Sequence, residues 1–295
     1  MALGCLRLFV HTSARLREIA TLEAAPRAAQ NAPFWVETSS SDFQRLIDAA
    51  SSDDPIHVHL AVPSLSKSQL RDIFWFEVEA SHTFHLSQAD FERWLEEERA
   101  LEQRTCVGAC ARQLQRLRVS KLRIPRGTVS APDSGPYIFV ASESSIAALC
   151  DLGVTGLARV PVEVSGARAE FSVLGGQSLP RSDAHICVER LGESPVVLRG
   201  RVALCYPYSA LTEQADVSLT VEGIDDALGR LVVSGRFRQV FTELQLRGVR
   251  FRPVLDSGSE VYARCLREWR ALCNGPITFS PKLPDGAIGS FLTMH

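Results

Sequence analysis

Two stretches of the chain repeat the same order of apolar and polar positions. Residues 137–163 read YIFVASESSIAALCDLGVTGLARVPVE, and residues 231–254 read LVVSGRFRQVFTELQLRGVRFRPV. At a spacing of 92 positions and without a gap, three pairs of residues align: Ser142 with Ser234, Gly156 with Gly248, and Pro161 with Pro253. An apolar run, a serine, an amphipathic segment, a glycine and a β-branched run predict strand, helix N-cap, helix, turn and strand.

Shorter patterns predict further elements. Apolar or alternating runs at 6–10, 34–36, 56–62, 73–78 and 169–174 predict strands. Serines precede amphipathic segments at 42–47 and 89–95, where Ser87 and Asp90 have capping-box spacing. A further helix is predicted over 259–273, because its apolar stripe ends at the Asn-Gly-Pro of 274–276.

These elements together predict an α+β fold. We expect two halves of mixed β-sheet flanked by amphipathic helices, with the strand–Ser–helix–strand unit repeated. Turn formers at 131–136, APDSGP, suggest a division into residues 1–130 and residues 131–295. The second half would contain both repeated units, at 137–163 and 231–254.

Composition indicates a globular protein that keeps its cysteines reduced. Of 295 residues, 45% are hydrophobic and 22% charged, and the net charge of −2 does not favour a nucleic-acid or membrane partner. No apolar run approaches the roughly 18 residues of a membrane span. The eight scattered cysteines are typical of buried free thiols, so we predict a cytoplasmic protein.

The N-terminus allows two interpretations. Arg7, Arg15 and Arg17 occur before the first acidic residue, Glu18, which is compatible with a mitochondrial transit peptide. We favour an ordinary apolar strand over 6–10 followed by a short helix.

Four histidines form the only candidate metal cluster. His57 and His59 lie two apart on a predicted strand, so their side chains point to one face, and His82 and His85 precede the next helix. These imidazoles could serve a metal-dependent enzyme, with thiolates from Cys106 and Cys110. Because His-x-His and Cys-x₃-Cys are loose patterns, we favour hydrogen-bonded or surface histidines and predict no metal and no cofactor.

Two runs carry charge of one sign and are candidate partner-binding segments. Residues 104–126 contain arginines and lysine without an acid, and residues 213–226 are acidic. The basic run has no aromatic residue for base stacking, which does not favour nucleic acid. The candidate contacts are Arg112, Arg116, Arg118, Arg123, Asp216, Glu222, Asp225 and Asp226.

Standard catalytic motifs are absent from the sequence. It has no G-x-S-x-G, no Walker loop, no G-x-G-x-x-G and no H-E-x-x-H. Ser142 and Ser234 are interpreted as helix N-caps, and the His185–Cys187 pair is too weak a pattern to indicate a nucleophile. We therefore predict a protein that is not an enzyme.

The run VASESSIAALCDLGVTGLARVPVEV and its second copy resemble the C-terminal part of the myxobacterial double-CxxCG motif proteins, which include swarm-inhibition immunity proteins. The resemblance covers residues 136–255. Its "GL-x-G-V/L" turn is matched at 152–157 and 246–249, and 43–47 is similar to an earlier F-x-RL segment. The cysteine motifs of the family are missing: in CVERL, Arg190 and Leu191 stand where cysteine and glycine are expected. The resemblance therefore does not imply the family's zinc ligands here.

The resemblance implies a non-catalytic cytoplasmic interaction protein, an immunity protein that binds and neutralises a cognate protein toxin. Such a protein acts by presenting a surface that occludes its partner. Two alternatives remain at this point. One is a metal-dependent enzyme built on the histidines, and the other is a structural subunit of a larger assembly.

Overall fold

The computed structural model describes residues 6–19, 34–93, 96, 117–133, 138–179, 188–189, 197–198, 204–220, 223–224, 230–273 and 277–279. Its helices and mixed sheets confirm the predicted α+β class. The N-terminal elements are β1 (Leu6–His11), α1 (Ala14–Ile19), β2 (Phe34–Glu37), α2 (Ser41–Ala49), β3 (Ile56–Pro63) and α3 (Lys67–Arg71).

The remaining elements are given as two series and a C-terminal group. The first is β4 (Trp75–Ala80), β5 (Thr83–Phe84), α4 (88–93), β6 (Leu117–Val119), β7 (Ala131–Pro132), β8 (Phe139–Ser142), α5 (Glu143–Asp151) and β9 (Ala158–Val164). The second is β10 (Ala167–Gly175), β11 (Gln177–Ser178), β12 (Val188–Glu189), β13 (Val197–Leu198), β14 (Cys205–Tyr206), α6 (Tyr208–Leu211), β15 (Val217–Leu219), β16 (Gly223–Ile224), β17 (Leu231–Ser234), α7 (Gly235–Glu243) and β18 (Val249–Pro253). The chain continues with β19 (Leu255–Asp256), α8 (Glu260–Cys273) and β20 (Ile277–Phe279).

The two predicted repeat units have the same local structure. A shift of 92 positions carries the bounds of β8 and α5 onto those of β17 and α7. Both predicted N-caps are confirmed, since Ser142 Oγ accepts from Ser145 N at 3.2 Å and Ser234 Oγ accepts from Phe237 N at 3.1 Å. The helices end in turns with positive φ at equivalent positions: Gly153 and Gln245, then Gly156 and Gly248.

The repeat extends well beyond the predicted units. β6 runs parallel to β9, and β14 runs parallel to β19. Each of these pairings closes with the same bond: Ser165 N donates to Val119 O, and Ser257 N donates to Tyr206 O, both at 3.0 Å. We call residues 75–165 the first copy and residues 171–257 the second copy.

The copies exchange their first strands. In the first copy's sheet, β6-β9-β10-β8, the strand between β9 and β8 belongs to the second copy. In the second copy's sheet, β11-β15-β17-β4-β18, the strand between β17 and β18 belongs to the first copy. The registers agree, because Ser142 pairs with Phe171 and Ser234 pairs with Trp75, and all four pairings are antiparallel.

The turns after α5 and α7 make a second reciprocal contact. Val217 N of the second copy donates to Thr155 O at 3.2 Å, and Val129 N of the first copy donates to Arg247 O at 2.8 Å. A Cβ on Gly248 would lie 2.0 Å from Val129 O, so only glycine fits at this crossing. Such reciprocity is the arrangement of a two-fold symmetric dimer within one chain.

The central core lies between the two sheets and contains α5 and α7. It includes equivalent residues from both copies, for example Val129 and Val217, and Leu149 and Phe241. Each sheet also buries the face that points away from this central core. On that side the first copy's sheet contributes to a core that contains Phe84 and Leu117, and the second copy's sheet contributes to a core that contains Leu179 and Leu204.

The N-terminal sheet, β2-β1-β3-β20, packs against α2 and α8. Its core also includes Cys205 and Leu255 of the second copy. Strands from both sides of residue 130 thus share sheets: β4 with β17 and β18, and β3 with β20.

Candidate functional site

The histidines lie in two different parts of the fold. His57 pairs with His11 in the β1–β3 ladder, with their rings 6.3 Å apart. His82 Nδ1 lies 2.7 Å from Ser130 Oγ, and His85 Nδ1 lies 2.9 Å from Asp133 Oδ2. The side chain of His59 is outside the described residues. In the described part of the chain, no three His, Cys, Asp or Glu residues are grouped as a metal site.

The structure describes three of the eight predicted partner contacts. Arg118 Nε donates to Glu163 Oε2 at 3.1 Å across the β6–β9 pair, whereas Arg123 is exposed. Asp216 is described below. The other predicted contacts lie outside the described residues: Arg112, Arg116, Glu222, Asp225 and Asp226. The Cys106–Cys110 pair and the His185–Cys187 pair also lie outside them.

Asp216 joins the two copies. Its Oδ1 accepts from Ser234 Oγ at 2.5 Å, and its Oδ2 accepts from Thr155 N and Thr155 Oγ1, both at 3.0 Å. The carboxylate thus holds the turn of the first copy against the N-cap of α7. This is a scaffold contact.

The second copy's sheet carries five charged residues where the first copy's sheet has apolar residues or glycine. The equivalences follow from the 92-position shift and from the matching ladder registers. They are Arg230 for Ile138, Glu77 for Val173, Glu79 for Gly175, Arg250 for Ala158 and Arg252 for Val160. We call Glu77, Glu79, Arg230, Arg250 and Arg252 the charged face.

The charged face is built from alternate residues of adjacent strands. In the β4–β18 ladder, Arg252 lies opposite Glu77 and Arg250 lies opposite Glu79. Arg252 Nη2 contacts Glu79 Oε1 at 2.7 Å, and Arg230 Nη1 lies 3.7 Å from Glu77 Oε1. Arg230 and Glu77 are only 1% and 5% exposed, while Glu79, Arg250 and Arg252 are half-buried.

The charged face is not what the scaffold requires. Ile138 and Val173 fill the same two positions in the first copy's sheet and are buried in one core. Replacing a buried ion pair by packed apolar residues is often neutral, or stabilising by about 1–4 kcal/mol. The fold therefore accepts apolar residues at both positions of this ion pair. The sequence pattern indicates that these charges share one face of the sheet, because they occupy alternate positions in Trp75–Glu79 and Val249–Arg252.

Three large apolar side chains are exposed in the described part of the chain: Leu70 at 39%, Phe74 at 60% and Leu152 at 47%. We call them the exposed apolar residues. Phe74 O accepts from Gly235 N at 2.6 Å, and Arg236 Nη2 donates to Leu152 O at 3.3 Å. Phe74 and Leu152 therefore both adjoin the first turn of α7, and Leu70 lies four residues before Phe74.

Phe74 is exposed at a position where the first copy's sheet has an acid. Because Trp75 and Phe171 are equivalent, Phe74 corresponds to Glu170, which is also exposed. The ring of Tyr208 lies edge-on to Phe74, with centroids 6.4 Å apart, and its hydroxyl donates to Val254 O at 2.9 Å. Burial raises the pKa of Tyr208 to about 12, so this hydroxyl stays protonated at neutral pH.

No helix in the described residues has the length and apolarity needed to cross a membrane. Comparison with known proteins adds no relationship: no family model matches the sequence, and no curated protein matches it.

Proposed function

We propose that this protein is a non-catalytic interaction protein of the cytoplasm, an immunity protein that binds and neutralises a cognate protein toxin. The motivation is the resemblance of residues 136–255 to the immunity proteins of the double-CxxCG family. The strand exchange supports the proposal, since two interlocked copies give a rigid support for a binding surface.

The observation that carries the proposal is the exposure of Phe74. Its side chain is 60% exposed, although the equivalent position in the first copy's sheet accepts glutamate without change of backbone pairing. An aromatic side chain exposed beside other apolar groups is typical of the centre of a protein interface. The edge-on contact with Tyr208 leaves most of the Phe74 side chain exposed.

The exposed residues include both kinds of side chain found in binding surfaces. Leu70 and Leu152 are exposed in addition to Phe74, and so are the charged residues Arg71, Asp72 and Arg236. Apolar and charged side chains together fit a partner that buries the apolar ones and pairs with the charged ones. The basic run over 104–126, which includes Arg123, and the acidic run over 213–226 stay predicted contacts. Their charges would act mainly on the rate and orientation of association.

Growth rescue tests the proposal. The product of the adjacent reading frame is co-expressed with this protein in an unprotected host, and both growth and co-purification are measured. We expect the wild type to restore growth and Phe74→Glu, which introduces the residue found at Glu170, to lose most of that protection. Glu170→Gln, at the equivalent exposed position, serves as the matched control and should protect like the wild type. A wild type that neither protects nor co-purifies would contradict the proposal.

A further inference from the structure

We infer that the charged face of the second copy's sheet is a binding site for a small oxyanion, a phosphate or carboxylate group of a soluble molecule. This inference does not depend on the proposed toxin partner. It rests on the placement of Arg230, Arg250 and Arg252 and on the comparison with the first copy.

The arginines supply the chemistry. A guanidinium group presents a planar fork of donors that matches the oxygens of phosphate or carboxylate and can bind them through two parallel hydrogen bonds. Arg250 and Arg252 project from the same face of β18, because alternate residues of a strand share a face. Arg230 precedes β17, on the other side of β4, so three guanidinium groups border the central strand.

The acids of the charged face hold the arginines in place. Glu79 binds Arg252 at 2.7 Å and Glu77 lies 3.7 Å from Arg230, so both guanidinium groups are oriented before a ligand arrives. Side chains that are already ordered lose less conformational entropy on binding. Burial increases from Arg250 and Arg252, which are half-buried, to Arg230, which is 1% exposed. A ligand would therefore meet the two outer arginines first.

The first copy's sheet shows that the fold forms without the charged face. In that sheet Ile138, Ala158 and Val160 lie beside β10, the equivalent of β4, which carries Val173, and the strands pair in the same registers. Five charged residues on one face of one sheet indicate a site that is specific to that sheet. Low dielectric surroundings strengthen each charged contact with a bound anion.

Isothermal titration of the full-length protein tests the inference. Inorganic phosphate, pyrophosphate and citrate are titrated separately at constant ionic strength set with chloride, so that screening does not vary. We expect saturable binding of at least one of them. Binding of the phosphates alone would assign a phosphate ligand, and binding of citrate alone would assign a carboxylate ligand.

Arg252→Val, which introduces the residue found at Val160, should weaken that binding by about tenfold or more. Arg168→Val, at an exposed strand arginine of the other sheet, is the matched control and should bind like the wild type. If circular dichroism shows that Arg252→Val is unfolded, Arg250→Ala takes its place with the same expectation. Absence of saturable binding for all three anions would overturn the inference, as would binding that survives substitution of the arginine.

Discussion

Arg230 lies 3.7 Å from Glu77 in the interior of the second copy's sheet, and the first copy's sheet has Ile138 and Val173 at the equivalent positions. The chain thus contains an apolar and an ionic version of one structural position. Each version is buried, and each belongs to a sheet with the same strand order around the exchanged strand. This internal comparison separates what the scaffold requires from what the second copy adds.

The ion pair gives the first prediction. Glu77→Val alone should lower the free energy of unfolding by about 3 kcal/mol, because it leaves a guanidinium charge buried beside an apolar side chain. The double variant Glu77→Val/Arg230→Ile reproduces the residues of the first copy and should recover at least half of that loss. Urea unfolding of the wild type, both single variants and the double variant measures the coupling. Strictly additive losses would show that the two side chains do not act as a pair.

The crossing of the two copies at Gly248 gives the second prediction. Gly248 has φ of +93° and its added Cβ would lie 2.0 Å from Val129 O, so Gly248→Ala should cost about 3 kcal/mol or more. Gly166 also has positive φ, at +82°, but a Cβ there meets nothing within 4 Å. Gly166→Ala should therefore cost only the backbone strain, about 1 kcal/mol. Equal losses in thermal or urea unfolding would argue against a tight crossing at Gly248.

The two N-caps give the third prediction. Ser142→Ala should destabilise the protein by about 1 kcal/mol, the usual value of a helix N-cap. Ser234→Ala should cost more, because Ser234 Oγ also donates to Asp216 and so helps to join the copies. Unfolding free energies of the two variants decide this directly. A larger loss at Ser142 would contradict the connecting role of Asp216.

Asp90 gives a pH prediction. Burial acts to raise the pKa of Asp90, but hydrogen bonds from Ser120 N, Ser87 Oγ and Ser120 Oγ, together with Arg93, outweigh it, so the pKa lies below its ordinary value of 3.8. A carboxyl with a lowered folded-state pKa stabilises the fold above its unfolded-state pKa and loses that contribution as the pH falls through the folded-state value.

The Asp90→Asn variant should therefore be less stable than the wild type at neutral pH, with a difference that shrinks as the pH falls below about 4. Unfolding by urea at several pH values measures the difference. Ser87 and Asp90 had the spacing of a capping box, and Asp90 N does donate to Ser87 Oγ at 3.2 Å. A difference that is constant with pH would show that the ionised carboxylate is not what stabilises this region.

Local features of the sequence predicted the helices whose starts depend on short-range contacts. Ser40, Ser142 and Ser234 cap α2, α5 and α7, and α8 occupies 260–273 of the predicted 259–273. α3 was not predicted within the polar residues 64–72, although Ser66 and Gln69 form a capping box there. Its short length and lack of buried residues gave no apolar stripe to detect.

The strand exchange and the charged face could not be predicted in the same way. Pairing between β4 and β17 joins residues far apart in sequence, and alternation within a strand does not identify its neighbours. The repeat before residue 137 was also hidden, because its spacing varies where the loops differ in length. Charges occupy alternate positions of β4 and β18, a pattern that is also typical of the solvent-facing side of a sheet, so the sequence alone does not show that Glu77 is buried.

The affinity of the purified protein for the proposed toxin partner tests the central claim, that the molecule acts by presenting its exposed apolar residues, most directly. Phe74→Glu should raise the dissociation constant by about thirtyfold or more, the effect of losing a central interface residue. Glu170→Gln should leave the dissociation constant unchanged. Calorimetry or surface plasmon resonance with the product of the adjacent reading frame provides the measurement. Tight binding that Phe74→Glu leaves intact would contradict the account.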